Sequence, residues 1–231
     1  MKRNYILEYA LMFLTILIEI YVFLPLCKRS TWYDCDWTVS MIPAFASNGV
    51  LPPYVMGNPT NPDNMSPYQA DILTFCRRFC TSPKRLEILK GFLRYRKSLH
   101  DIGIPGGFQW IDGSFSEDIE SIEGRNPNDV DVVTFFDRPH NCDTSAKWRD
   151  FFDSHIMFFD PSTSKEAFLC DAYPVDLGMA PLKLVSTTRY WFGLFSHRRV
   201  SNIWKGMVQL PLGNAGYDQA ASDYLDQVVF P

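Results

Sequence analysis

A short mixed β-sheet flanked by helices, of α/β (α+β) class, is what this sequence predicts, on three observations. Residues 108–112 and 130–136 are apolar and rich in β-branched or aromatic side chains, as buried strands are. Leu86, Leu89, Phe92, Leu93 and Leu99 recur at helical spacing and form one core stripe. The 231 residues, 46% hydrophobic and 15% aromatic, suffice for one substantial core and show no internal repeat.

Two parts are expected: an apolar N-terminal extension, 1–40, and a domain at 41–231. Residues 9–26 form the one long apolar run, flanked by Lys2-Arg3 and Lys28-Arg29 and interrupted by Glu19. About a dozen large apolar residues, each contributing roughly −0.3 to −0.6 kcal/mol to insertion, can offset a charge costing roughly 2.5 to 3.5. A membrane span, a helix docked on the domain and an upstream extension of the reading frame are the readings of this run. No small-x-small cleavage site follows it closely, so a cleaved signal is a poor reading.

Residues 41–67 are rich in proline, asparagine and glycine and read as an extended, irregular lead-in. Ser66-Pro67 reads as the N-cap and first residue of a helix running to about Cys80, and Ser82-Pro83 as the start of a second one ended by Gly103. Lys84, Arg85, Lys90, Arg94, Arg96 and Lys97 are expected to form the solvated face of that second helix. The segment between the two strands, with Glu117, Asp118, Glu120 and Glu123, reads as an acidic, mobile loop. Residues 146–152 follow as a helix, 167–173 as a strand ended by Pro174, 182–195 as a helix, 206–210 as a strand, and 217–228 as a closing helix. Trp110, Trp191 and Trp204 are expected in the core.

A net charge of −4 gives no global attraction for nucleic acid, so a polyanion would have to be met locally. The six cysteines form no C-x-x-C pair, which predicts free thiols, a reducing compartment and a cytoplasmic protein, with membrane association through residues 9–26 as the alternative. His140-x-Cys142 has no matching second pair and supports no zinc site.

The chemistry concentrates in Gly113-Ser114, at the end of one strand, and Asp129-x-Asp131, at the start of the next. A Gly-Ser turn brings backbone N–H groups and a hydroxyl close to phosphate oxygens. Carboxylates two residues apart on a strand share a face and can grip hard cations. Asp171, on a third strand, completes the layout that two-metal nucleotidyl transfer needs, with Mg²⁺ or Mn²⁺ relieving the mutual repulsion. Asp176 is the alternative third carboxylate, although five residues from Asp171 it faces the other way on a regular strand. His197, Arg198, Arg199 and Lys205 follow the Trp191 helix, either approaching the phosphates or forming an exposed basic turn. Asp112 reads as a turn-stabilising residue.

This constellation resembles the polymerase-beta-like nucleotidyltransferase superfamily, with its Gly-Ser turn, Asp-x-Asp and third strand aspartate. It is similar in particular to a bacterial branch of small, minimal-nucleotidyltransferase-like proteins, through Asn48-Gly49-Val50-Leu51-Pro52-Pro53, Tyr190-Trp191-Phe192-Gly193-Leu194-Phe195, Arg199 and Lys205-Gly206. The resemblance covers about residues 41–210. It implies a nucleotidyltransferase fold, catalytic and metal-binding roles for Asp129, Asp131 and Asp171, and nucleotide binding by Gly113, Ser114, Arg199 and Lys205.

The activity expected is transfer of NMP from an NTP, ATP among them, to a protein, nucleic-acid or small-molecule hydroxyl, with release of pyrophosphate. No long C-terminal helical domain of the kind that reads a tRNA end is visible, which favours a protein or small molecule over RNA. The alternative is a low-activity binding module working through a partner protein, as in toxin–antitoxin or phage-defence systems.

Overall fold

The computed structural model describes residues 41–230. Residues 1–40, with the apolar run 9–26, lie outside the described residues. Among the described residues no helix is long and apolar enough to cross a membrane.

The chain forms a five-stranded mixed sheet flanked by helices, with strand order β1-β5-β2-β3-β4. In chain order the elements are β1 (Tyr68–Gln69), α1 (Ile72–Phe79), α2 (Pro83–Asp101), β2 (Gly107–Asp112), α3 (Ile119–Glu123), β3 (Val130–Phe136), α4 (Ser145–Ser154), α5 (Pro161–Phe168), β4 (Cys170–Asp176), α6 (Pro181–Phe195), β5 (Val208–Leu212) and α7 (Ala215–Gln227). β2 runs antiparallel to β3 and β5, whereas β3–β4 and β1–β5 are parallel.

The two sheet faces are both buried, unequally. Ile111, Val132, Phe136, Ala172 and Leu210 pack against Phe75, Ile88, Phe92, Phe168 and Leu225 from the larger helical layer. On the opposite face Trp110, Val133, Phe135 and Val175 pack against Phe195, with Leu184, Trp191 and Phe192 of α6 partly buried beside them. This alternation follows from the period of two along a strand.

Several expectations are corrected by the tertiary structure. Ser66-Pro67 does not open a helix: Tyr68–Gln69 pairs with β5, and Asp71 caps α1 by accepting from Thr74 N at 2.8 Å. Ser82 does cap α2, accepting from Arg85 N at 3.3 Å. The solvated helix face loses two members. Arg85 and Arg96 are buried, because each guanidinium is enclosed by acceptors. Arg96 donates to Gln109 Oε1 at 2.6 Å, Pro211 O at 2.9 Å and Asp218 Oδ1 at 2.7 Å, joining α2 to β2, β5 and α7. Pro174 does not end its strand. β4 lies at the sheet edge, where a missing N–H interrupts no second ladder, and it continues to Asp176. The α5 helix stands where no helix is expected, and its end takes 167–168 from the strand expected at 167–173, which begins instead at Cys170. Trp204 is 41% exposed rather than core.

Candidate active site: an acidic row beside a glycine turn

Register places three carboxylates in one line. Asp131 on β3 lies opposite Asp112 on β2 and opposite Asp171 on β4, so the three side chains project from the same face of neighbouring strands. That is the α6 face, beyond the end of its apolar packing. Asp129 precedes β3 and joins the group through Lys165 of α5, whose Nζ lies 2.5 Å from Asp129 Oδ2 and 3.8 Å from Asp171 Oδ2. A cleft of about 430 Å³ is lined by these four carboxylates together with Gly113, Ser114, Lys165, Arg198, Arg199 and Lys205.

The turn after β2 has a specific reason for glycine. Gly113 adopts φ +80° and ψ −167°, and a Cβ there would lie 1.7 Å from Asp131 Oδ2. The glycine is therefore demanded first by the neighbouring carboxylate, rather than by an approaching phosphate as the sequence suggests. Ser114 begins a single 3-10 turn, Ser114–Ser116, and Ser116 Oγ donates to Asp112 Oδ1 at 3.2 Å.

The segment expected to be a mobile acidic loop is braced instead. Arg85 donates to Phe115 O at 2.7 Å and to Glu117 O at 2.6 Å, and pairs with Glu120 at 2.7 Å. Glu117 is itself buried and accepts from Lys205 Nζ at 2.8 Å. The Asn48-Gly49-Val50-Leu51-Pro52-Pro53 segment supports the same region from behind: Asp118 N donates to Gly49 O and Gly206 N to Leu51 O, both at 2.8 Å.

Electrostatics in the cleft are dominated by burial of carboxylates, with crowding of like charge second. Burial, then the charges of Asp112, Asp129 and Asp171, push Asp131 up to about 7. Burial also pushes Asp112 up to about 6, against the opposing pull of Lys205. Lys205 Nζ lies 3.0 Å from Asp112 Oδ1; burial works against its charge, but Asp112 and Glu117 outweigh burial and raise its pKa. The hydrogen bond to Asp129 is the main cause raising Lys165.

Of the sequence-derived candidates, Gly113, Ser114, Asp129, Asp131 and Asp171 meet in this cleft. Asp176 does not: it pairs with Arg138 at 2.6 Å, in register with Phe136 at the far end of β4. Arg199 lines the cleft exposed. Lys205 lines it too, with its ammonium engaged by Asp112 and Glu117. Arg198 pairs with Glu117 at 3.1 Å and with Glu123. Asp112 is more than a turn residue, since it completes the acidic row and holds Lys205. Lys165 was not legible in the sequence. Its signal is a lysine one turn before a left-handed helix end leading straight into a strand, meaningful only once α5 is recognised.

Among the described residues no three His, Cys, Asp or Glu side chains are grouped so as to hold a metal ion as they stand. The donor set nevertheless suits a hard divalent cation: oxygen ligands only, mutually repelling, with Asp131 short of compensating charge.

The model of a family of unknown function (DUF6932) matches residues 43–211. No curated protein and no solved structure matches the chain.

Proposed function

The chain belongs to the DUF6932 family, and from the chemistry of its acidic cleft we propose a metal-dependent nucleotidyltransferase with a nucleotidyltransferase fold, moving NMP from an NTP to an acceptor hydroxyl. The observation that carries this reading is the row Asp112–Asp131–Asp171, read off the register of three adjacent strands, with the Gly113-Ser114 turn at its end.

Asp129, Asp131 and Asp171 are the residues that would hold Mg²⁺ or Mn²⁺, which when bound supplies positive charge to the triphosphate and acidifies the acceptor hydroxyl. The other roles fall to the chain itself. The Gly113-Ser114 turn offers the triphosphate its hydroxyl, and the exposed Arg199 lines the same cleft to meet charge on the leaving group. The acceptor oxygen forms a bond to the α-phosphorus as the bridging α–β oxygen bond breaks. Pyrophosphate leaves, and the hydroxyl proton passes to the Asp171 carboxylate.

Lys205 acts from below, fixing Asp112 and Glu117 and so the turn between them. The acceptor is a protein or small-molecule hydroxyl in this reading, and a cytoplasmic setting follows from the free-thiol pattern of the sequence.

One observation favours a second reading, a binding module with little turnover that serves a partner protein in a toxin–antitoxin or phage-defence system. Lys165 already neutralises Asp129, as a retained fold without metal would require.

Incubation with each α-labelled NTP, Mg²⁺ or Mn²⁺ and cell lysate separates the two. Transfer of label that is lost in Asp129→Ala/Asp131→Ala supports the enzyme. Transfer that survives the double substitution sinks the mechanism, and no transfer or metal-dependent nucleotide binding from any NTP leaves the module.

A further inference from the structure

Lys165 is held with more care than an ordinary surface lysine. Its helix, α5, is capped by Asp160, whose carboxylate accepts from Thr163 N at 3.0 Å. The helix ends at Leu169, in the left-handed conformation at φ +57°, where Leu169 N donates to Lys165 O at 3.0 Å. Leu169 O then accepts from Val130 N at 3.0 Å, at the first residue of β3. The preceding residue, Ser164, is buried; its Oγ donates to Cys170 O at 2.9 Å and accepts from Ala172 N at 3.3 Å. The Ser164 hydroxyl thus ties α5 to β4 on either side of Asp171, and Leu169 ties the end of the helix to β3.

The side chain is not fastened in the same way. Lys165 is 49% exposed along its side chain, while Asp129, its partner at 2.5 Å, is 12% exposed. The ammonium of a half-exposed side chain therefore reaches a nearly buried carboxylate and approaches a second one. Its backbone sets where it can reach, and the exposed stem lets it leave.

We propose that Lys165 is a built-in competitor for the divalent cation, holding Asp129 and approaching Asp171 until the ion displaces its ammonium, so that the cleft binds metal more weakly than its carboxylates alone would. This rests on the metal-dependent reading of the cleft.

Manganese alone serves as the probe, with free Mn²⁺ measured by electron paramagnetic resonance in titrations of wild type, Lys165→Met, Lys165→Gln and Lys165→Arg. Thermal melts in chelator confirm that each variant is folded. Removing the ammonium should tighten Mn²⁺ binding about two- to fivefold in the Met and Gln variants, the worth of a partly exposed ion pair, and leave Arg close to wild type. Mn²⁺ binding by wild type with equal or weaker affinity in Lys165→Met and Lys165→Gln overturns the competitor role and leaves the cleft reading standing. Absence of Mn²⁺ binding in all four proteins overturns both.

Discussion

Gly113 lies so close to Asp131 that a β-carbon on it would stand 1.7 Å from Asp131 Oδ2. The glycine at the end of β2 and the carboxylate on β3 are one device, the first leaving the space that the second fills. Its backbone, near φ +80° and ψ −167°, is in a region that essentially only glycine occupies.

Gly113→Ala should therefore cost about 1–3 kcal/mol in backbone strain alone and push Asp131 out of the row. Urea unfolding should show the loss of stability, and Mn²⁺ titration a loss of binding beyond what the unfolded fraction explains. A variant with wild-type stability and metal binding would remove the pairing from the account.

Asp131 supplies a pH signature. Its folded pKa, about 7, lies above the ordinary carboxylate value of about 4, so the folded state binds this proton more tightly than the unfolded state does. The sign follows: the group destabilises the fold at pH 8, and that penalty is relieved as pH falls through about 7 toward 4, with Asp112 adding in the same sense near 6. In chelator, Asp131→Asn should be more stable than wild type by about 1–3 kcal/mol at pH 8, and the two should converge by pH 4. A difference that stays constant across that window would mean that the crowding is not what Asn relieves.

Lys205 is the opposite case, a buried charge whose removal strands Asp112 and takes one of two cations from Glu117. Lys205→Met leaves Asp112 buried without its cation and Glu117 held by Arg198 alone, and should cost about 3–5 kcal/mol. Lys205→Met/Glu117→Gln should recover part of that loss, which equilibrium unfolding of the three proteins would measure.

Asp171 and Asp176 share a strand and separate in role. Asp171→Asn should abolish label transfer while leaving the melting temperature near wild type. Asp176→Asn breaks only the partly exposed pair with Arg138, costs about 1 kcal/mol or less and should leave transfer within about twofold. Equal activity of the two variants would argue against Asp171 as proton acceptor.

Much of the site was readable because short-range rules carry it. Gly113-Ser114 and Asp129-x-Asp131 stand at strand ends that apolar runs of β-branched and aromatic residues make visible, and Ser82-Pro83 marks its helix as capping chemistry predicts. Ser66-Pro67 carries the same local signal yet precedes a strand, because pairing with β5 is a contact across some 140 residues that no local pattern encodes. Arg85 and Arg96 look like surface charges until their acceptors arrive from β2, β5, α3 and α7.

The sequence by itself determined the class of fold, most of its strands and helices, and the pairing of the Gly113-Ser114 turn with Asp129-x-Asp131, since period, capping and composition act within a few residues. Only the tertiary structure decided that Asp112 completes their row, that Glu117 and Lys205 are buried beneath it, that Asp176 is turned away, and that Lys165 reaches into the cleft. Those outcomes depend on strand register and on one left-handed residue, Leu169, that joins α5 to β4. Register and helix placement arise from summed long-range packing, which no short stretch of the chain contains.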